Sequence, residues 1–102
     1  MKAVRYDPEA TDEYLAAIGW YFARNRVAAD RFVERVLEAE TAIREHPPRW
    51  SHFEGVPREL EVRRKLVRGF PFAMVYLELA LEIRVIALAH SRRRPGYWRG
   101  RI

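Results

Sequence analysis

The 102-residue chain contains no cysteine and only three histidines, at positions 46, 52 and 90. Without cysteine it has neither disulfides nor thiolate metal ligands. The three histidines lie too far apart in the sequence to match the spacing of a zinc site. We therefore expect no metal and no other cofactor. A lack of cysteine also fits a cytoplasmic protein, which is the location we expect.

Long apolar runs and the motifs of common enzymes are also missing. No stretch approaches the ~20 apolar residues of a membrane span, and residues 1–7 lack the apolar core of a signal peptide. The chain has no phosphate-binding glycine loop, no nucleophile elbow and no sign of two converging carboxylates. These absences predict neither a membrane protein nor an ordinary metabolic enzyme.

Negative charge is absent from residues 90–102, here called the arginine-rich segment. It carries five arginines together with Tyr97 and Trp98, whereas basic and acidic residues are equal in number over residues 1–89. Guanidinium groups beside aromatic rings suit an anionic partner with planar groups that can stack, or an acidic protein surface. We interpret the segment as a contact site, and the alternative is a solvated end that only keeps the protein soluble.

Periodicity and turn residues predict one domain over residues 1–102 with the order β-α-α-β-β-β. Asp7-Pro8 marks the start of the first helix, and Pro47-Pro48 stops the second. The predicted elements are a strand over 2–6, helices over 8–24 and 27–45, a loop over 49–59, and strands over 60–67, 70–79 and 82–89. They predict an α+β fold, a helical hairpin packed on one face of a small, mainly antiparallel sheet.

Side-chain patterns add four expectations about the helices. Asp7 is expected to cap the first helix. The apolar stripe of that helix is expected to include Phe22, and the stripe of the second helix to include Leu37. Leu15 and Trp20 fall off the first stripe, and we interpret them as a partner-binding surface. Because single exposed apolar residues are common, a purely structural interpretation of these two stays open.

The last predicted strand is apolar on nearly both faces, which is typical of the middle of a sheet. Its alternation predicts that Ile83, Val85, Ala87 and Ala89 share one face.

A basic patch is expected where the first strand after the helices approaches the end of the last strand. Its predicted members are Arg63, Arg64, Lys65 and Arg68 on one side and Arg92, Arg93 and Arg94 on the other. Such a patch would hold RNA phosphates, with a nearby tyrosine removing a ribose 2′-hydroxyl proton. It would equally suit an acidic protein face. A third interpretation is that the strand arginines only protect an exposed edge.

Short stretches over nearly the whole chain resemble the ParE/RelE superfamily of bacterial toxins from type II toxin–antitoxin systems. The most telling stretch is Ala89-His90 followed by Arg92-Arg93-Arg94-Pro95-Gly96-Tyr97-Trp98. The others, in chain order, are Pro8-Glu9-Ala10 with Glu13-Tyr14, Trp20-Tyr21 with Arg24, Ala29 with Arg31-Phe32, Arg63-Arg64, Gly69-Phe70-Pro71-Phe72 with Val75-Tyr76, and Ile83 with Val85-Ile86-Ala87. The resemblance implies the same fold that the periodicity predicts.

The stretches at 70–72 and 89–98 are similar to the ParE-like, plasmid-stabilisation branch, whose members inhibit DNA gyrase without a known hydrolytic step. This implies a growth-arresting toxin that is not an enzyme and that pairs with a cognate antitoxin, in a toxin–antitoxin hetero-oligomer. Leu15 and Trp20 would bind the antitoxin. The residues implied for target binding are Arg63, Arg64, His90, Arg92, Arg93, Arg94, Tyr97 and Trp98.

Two alternatives stay open within the same superfamily. RelE-like members are ribosome-dependent mRNA endoribonucleases, and Arg64, Arg92 and Tyr97 would then form the catalytic set. Against this, Ala73 and Leu66 stand where that branch usually has basic residues, and a lost charge aimed at a developing phosphorane costs on the order of 2–4 kcal/mol. The other alternative is a non-toxic relative that only binds its antitoxin.

Overall fold

A computed structural model describes all residues, 1–102, and confirms the predicted element order. The helices and strands are β1 (Ala3–Tyr6), α1 (Pro8–Arg24), α2 (Arg26–Glu45), β2 (Val62–Leu66), β3 (Phe72–Glu78) and β4 (Glu82–His90). Short 3₁₀ turns lie at Pro47–Arg49, Arg58–Leu60 and Arg99–Arg101. Neither helix combines the length and the apolar character needed to cross a membrane.

The four strands form one mixed sheet in the order β1-β4-β3-β2. β1 runs parallel to β4, and the other two pairings are antiparallel. The central position predicted for the last strand is confirmed. Because β1 ends at Tyr6, opposite Val85, the outer edge of β4 beyond Val85 has no strand partner.

A β-bulge at Ile86 changes which residues of β4 face the helices. Tyr76 pairs with Val85 and Val75 pairs with Ala87, so Ile86 has no opposite residue. The extra residue reverses the side-chain alternation from that point on. The prediction that Ala87 and Ala89 share the face of Ile83 and Val85 is therefore wrong, since a strand apolar on both faces gives no sign of the reversal.

Each face of the sheet has its own core. The larger core lies between the sheet and the two helices, and its buried members include Phe32, Val36, Met74, Tyr76, Ile83, Val85 and Leu88. The smaller core lies on the opposite face and consists of Val62, Val75, Leu77, Ile86, Ala87 and Trp98. Two aromatic residues of the loop after α2 pack on these cores, Trp50 on the larger and Phe53 on the smaller.

A single residue, Asn25, separates the two helices. Its N–H donates to the carbonyl oxygen of Tyr21 at the end of α1, and its side-chain oxygen accepts from the N–H groups of Val27 and Ala28 at 2.9 and 3.3 Å. Such side-chain acceptance is the usual cap of a helix N-terminus. With so short a connection, the helices pack against each other as the predicted hairpin.

The apolar stripes of both helices are narrower than predicted. Phe22 and Leu37 are more than half exposed, and the expectations that they are buried are wrong. Phe22 follows Tyr21 and is rotated by about 100° from it. In α2 the buried residues follow three- and four-residue steps that leave out Leu37, and they are Ala29, Phe32, Val36, Ala39 and Ile43.

Asp7 occupies the N-cap position of α1, but its side chain makes no cap bond there, so that prediction is wrong. Its two carboxylate oxygens instead accept from Nε and Nη2 of Arg84 on β4, both at 2.8 Å. The Asp7 side chain is only 6% exposed, and the paired guanidinium holds the pKa of this carboxyl below its usual range. The ion pair joins the start of α1 to the centre of the sheet.

Candidate functional site

The arginine-rich segment folds back against the sheet through Trp98. This ring is 1% exposed and meets Phe53 edge to face, with centroids 4.8 Å apart. A buried ring offers no surface to a partner, so the expectation that Trp98 contacts a target is corrected. Its place in the smaller core makes it the apolar anchor of the segment.

Tyr97 points to the opposite side of the segment, toward α1. Its hydroxyl donates to Oε2 of Glu13 at 2.6 Å. Burial, followed by the hydrogen bond and the negative charge of Glu13, raises the pKa of Tyr97 well above its usual range. A phenol that already donates to a carboxylate and resists ionisation is a poor acceptor for a substrate proton.

Glu13 connects three parts of the molecule. Its Oε1 accepts from the backbone N–H of Leu88 at 3.0 Å, and both carboxylate oxygens accept from the Arg101 guanidinium at 3.0 Å. Arg101 also donates to the carbonyl oxygen of Ile86 at 2.9 Å. Together, Glu13 and Arg101 therefore cover part of the β4 edge that β1 leaves open, which protects it from pairing with another strand.

Glu13 was not among the predicted site residues, although its position in the sequence carries a signal. Glu13 lies three residues after Ala10 and four before Ala17, the two buried residues of α1. It therefore sits on the apolar stripe of its own helix, where a carboxylate needs a partner. That partner, Arg101, lies at the far end of the chain, and no local pattern indicates it.

A tight turn at Pro95-Gly96 leads from the exposed arginines back to the core. The Tyr97 N–H donates to the carbonyl oxygen of Arg94 at 3.1 Å, and Gly96 adopts a φ of +78°. Before the turn, the Arg92 N–H donates to Nδ1 of His90 at 3.0 Å. The stretch 92–94 is thus held at both ends while its arginine side chains lie at the surface.

Replacement of Gly96 by alanine is expected to loosen this turn. The new Cβ would lie 2.8 Å from Nε of Arg99, in a backbone conformation that costs an L-residue about 1–2 kcal/mol. The matched control is Gly69→Ala, because Gly69 has a similar φ of +81° but no atom within 4 Å of the added carbon. Denaturant unfolding should show a larger decrease in the free energy of unfolding for Gly96→Ala than for Gly69→Ala. Equal decreases would contradict the steric crowding by Arg99.

A basic groove of about 550 Å³ lies between the β2–β3 turn and the arginine-rich segment. Arg64, Arg93 and Arg94 line it, with His90 at the end of β4. The groove thus brings together arginines from both predicted groups. Its floor is apolar, and the lining includes Leu66, Phe70, Phe72, Ala73, Ala89 and Trp98.

Two members of the predicted basic patch lie on the other face of the sheet. Arg63 donates to the carbonyl oxygen of Trp50 at 2.7 Å and to Glu61 at 3.1 Å, and its side chain is 16% exposed. Nζ of Lys65 lies 4.5 Å from the Trp50 ring centroid. Strand alternation places both residues on the face opposite Arg64. The expectation that Arg63 lies in one basic patch with Arg64 is therefore wrong.

A second groove, here called the helix groove, has a volume of about 910 Å³ and lies between α1 and the end of β4. Trp20 stands on one side of it, with Arg92 and Arg93 on the other. Trp20 and Leu15 are 54% and 60% exposed, which confirms the expected exposure of both. The two grooves share one ridge, formed by Pro71, Phe72, His90, Ser91 and Arg93.

Large exposed apolar side chains lie on two sides of α1, with Trp20 beside the helix groove and Leu15 and Phe22 about 140–160° around the helix from it. Residues 14–23 contain no charged side chain, and Leu15, Trp20 and Phe22 are all more than half exposed. Large apolar patches on a small protein mark binding surfaces.

The element order, the sheet topology and the arginine-rich end of β4 define a toxin fold of the ParE/RelE type. The sequence model described as "ParE toxin of type II toxin-antitoxin system, parDE" matches residues 4–95. The chain therefore belongs to the ParE toxin family of type II toxin–antitoxin systems, whose partner is an antitoxin.

A solved structure titled "Chromosomal ParDE TA system from P. aeruginosa" is similar in fold, with a TM-score of 0.74. The alignment covers 88% of this chain and 96% of that chain at 16% sequence identity. A comparison with curated proteins finds no match.

Proposed function

We propose that this ParE family member arrests growth by inhibiting DNA gyrase through protein–protein contact, and that Arg92 and Arg94 lead that contact. The observation that carries the proposal is their position on a turn whose ends are anchored. Both are exposed, and neither forms an ion pair within the chain. Unpaired guanidinium groups on a fixed turn suit an acidic protein surface.

Neighbouring residues extend the proposed contact surface into the basic groove. Arg64 is exposed at the groove and its guanidinium lies 5.7 Å from the Phe53 ring centroid. Arg93 lies on the shared ridge, stacked over Tyr97 at 3.8 Å and 3.5 Å from Glu13. His90, half-buried against Phe72, completes the ridge. Arg63 and Trp98 are left out of the proposed surface because of their burial.

Two features of the basic groove favour contact over RNA cleavage. Leu66 and Ala73 contribute apolar surface where the nuclease pattern implies positive charge. Tyr97, implied as a catalytic residue in that alternative, is bound to Glu13 and has a raised pKa. A groove that lacks these basic side chains, and whose tyrosine is already bound, offers little stabilisation of the transition state for phosphodiester cleavage.

The same proposal assigns the helix groove and the exposed apolar residues of α1 to the antitoxin. An amphipathic antitoxin segment would cover Trp20 in the groove and meet Arg92 and Arg93 at its basic side. It would have to wrap around α1 to reach Leu15 as well. Burial of this apolar surface would drive the association, and acidic side chains would complement the arginines. The resulting hetero-oligomer would neutralise the toxin in the cytoplasm, where gyrase acts.

Two assays with the purified protein test the target. We expect inhibition in a gyrase supercoiling reaction and no site-specific cuts in mRNA on translating ribosomes, read by primer extension. Site-specific mRNA cleavage together with normal supercoiling would contradict gyrase inhibition and support the endoribonuclease alternative. Inactivity in both assays, together with harmless expression in cells, would support the non-toxic relative.

Replacement of Arg92, Arg93 and Arg94 by glutamine is expected to slow association with gyrase by on the order of tenfold at low salt and to flatten its salt dependence. Charge attraction accelerates encounter, and salt screens it. The matched control replaces three exposed arginines without ion pairs elsewhere, Arg26, Arg31 and Arg58. Association rates measured across a salt series decide the outcome, and an unchanged salt response in the first variant would move the contact surface to the helices.

A further inference from the structure

We infer that Glu13 is a positioning residue for the target-binding arginines, an inference that rests on the proposed function. Glu13 lies on α1, outside the arginine-rich segment, and its side chain is 14% exposed. It reaches that segment at three side chains, Arg93, Tyr97 and Arg101. It also reaches the strand that precedes the segment, at the N–H of Leu88.

These contacts fix the exposed stretch 92–94 from both sides. The bond to Leu88 holds the strand two residues before its end, and the bonds to Tyr97 and Arg101 hold the chain after the turn. A single carboxylate thus sets the distance between the two ends of the loop. A loop held in its binding conformation loses less conformational entropy when it meets a partner.

The chemistry of the site requires a carboxylate at this position. Every group that contacts Glu13 is a donor, namely a backbone N–H, a phenolic O–H and two guanidinium groups. A carboxylate accepts at both oxygens, whereas an amide would turn N–H donors toward some of these donors. Glu13 is also the single acidic residue that lines the helix groove, so its charge balances part of the charge of Arg93 and Arg101.

The deciding variant is Glu13→Gln, with Glu9→Gln as the matched control. Glu9 lies one turn earlier on the same helix, is exposed and makes no side-chain hydrogen bond. We expect backbone order parameters of residues 92–94 to fall below about 0.6 in Glu13→Gln alone. We also expect its affinity for gyrase to weaken by about tenfold, equivalent to 1.4 kcal/mol. The indole N–H resonance of Trp98 in the same NMR spectra reports whether the core anchor remains in place.

A double-mutant cycle separates positioning from a general loss of stability. Tyr97→Phe removes one donor to Glu13 without a change in ring volume, and it stands in for Glu13→Gln if that variant does not fold. Non-additive effects of Glu13→Gln and Tyr97→Phe on gyrase affinity support the inference, because both act through one contact. Additive effects contradict it.

The remaining outcomes distinguish this inference from the proposed function. In one outcome, Glu13→Gln loses the order of residues 92–94 but keeps its affinity for gyrase, whereas the double variant Arg92→Gln, Arg94→Gln no longer binds. This outcome overturns the positioning role and leaves the proposed function standing. If the unaltered protein does not bind gyrase at all, the proposed function is overturned. Unchanged order parameters in Glu13→Gln overturn the positioning role whatever the target is.

Discussion

Replacement of Trp98 by alanine is expected to lower the free energy of unfolding by about 3–5 kcal/mol, the range measured for large aromatic residues removed from a core. Trp98 is the largest buried side chain of the protein and belongs to the smaller core. Its loss would leave Phe53 without its aromatic partner and release the arginine-rich segment from the sheet. Since small domains are stable by only about 5–15 kcal/mol, we also expect loss of the growth arrest proposed above.

The matched control is Trp20→Ala, the same substitution at a ring that is 54% exposed. Trp20 contacts Tyr21 and lies 3.7 Å from the Arg24 guanidinium, so its removal is expected to cost about 1 kcal/mol or less. Circular dichroism in a denaturant series measures both variants without relying on tryptophan emission. Equal losses would contradict the packing of the arginine-rich segment on the sheet.

Replacement of Arg84 by alanine is expected to cost about 3 kcal/mol, the lower end of the range for a broken buried ion pair. It leaves the buried Asp7 carboxylate with only the longer 3.4 Å contact to the exposed Arg5. Arg84 donates twice to Asp7, and it also donates to the carbonyl oxygen of Arg101. The substitution therefore weakens both the start of α1 and the end of the arginine-rich segment.

The matched control for Arg84→Ala is Arg68→Ala. Arg68 makes a two-bond contact with Glu38 at 2.9 and 3.0 Å, similar in geometry to the Arg84–Asp7 pair, but both side chains are exposed. Solvent screens such a pair, so we expect little change in stability. Denaturant unfolding of both variants compares the two pairs, and equal effects would show that burial of Asp7 contributes nothing.

Acid is expected to remove the same stabilisation. The folded-state pKa of Asp7 is lowered from its ordinary value of 3.8, chiefly by the hydrogen bond from Arg84. The contribution of the Asp7 carboxylate to stability is therefore complete above that ordinary value, and it falls as the pH decreases through the folded-state pKa. The stability difference between the unaltered protein and Asp7→Asn should be unchanged at about pH 5 and above, and should shrink over the acid range below it. A constant difference over that range would contradict the link to Asp7.

Much of the fold followed from local patterns. Periodic apolar residues and the prolines at 47 and 48 located both helices to within a few residues, and the apolar character of residues 82–89 placed β4 at the centre of the sheet. The separation of Arg63 from Arg64 could also have been predicted, because neighbouring residues in a strand point to opposite faces. The bulge at Ile86 could not have been predicted, since no residue type there indicates a bulge.

The residue pattern alone established the element order, the concentration of positive charge after β4 and the resemblance to the toxin superfamily. These properties depend on composition and on spacing between near neighbours, which the chain carries locally. Packing decided which side chains of the arginine-rich segment face solvent and which anchor it. The anchors pair Glu13 with Arg101 and Asp7 with Arg84, residues 88 and 77 positions apart. Contacts over such separations exist only after the sheet and helices have assembled, so no local pattern contains them.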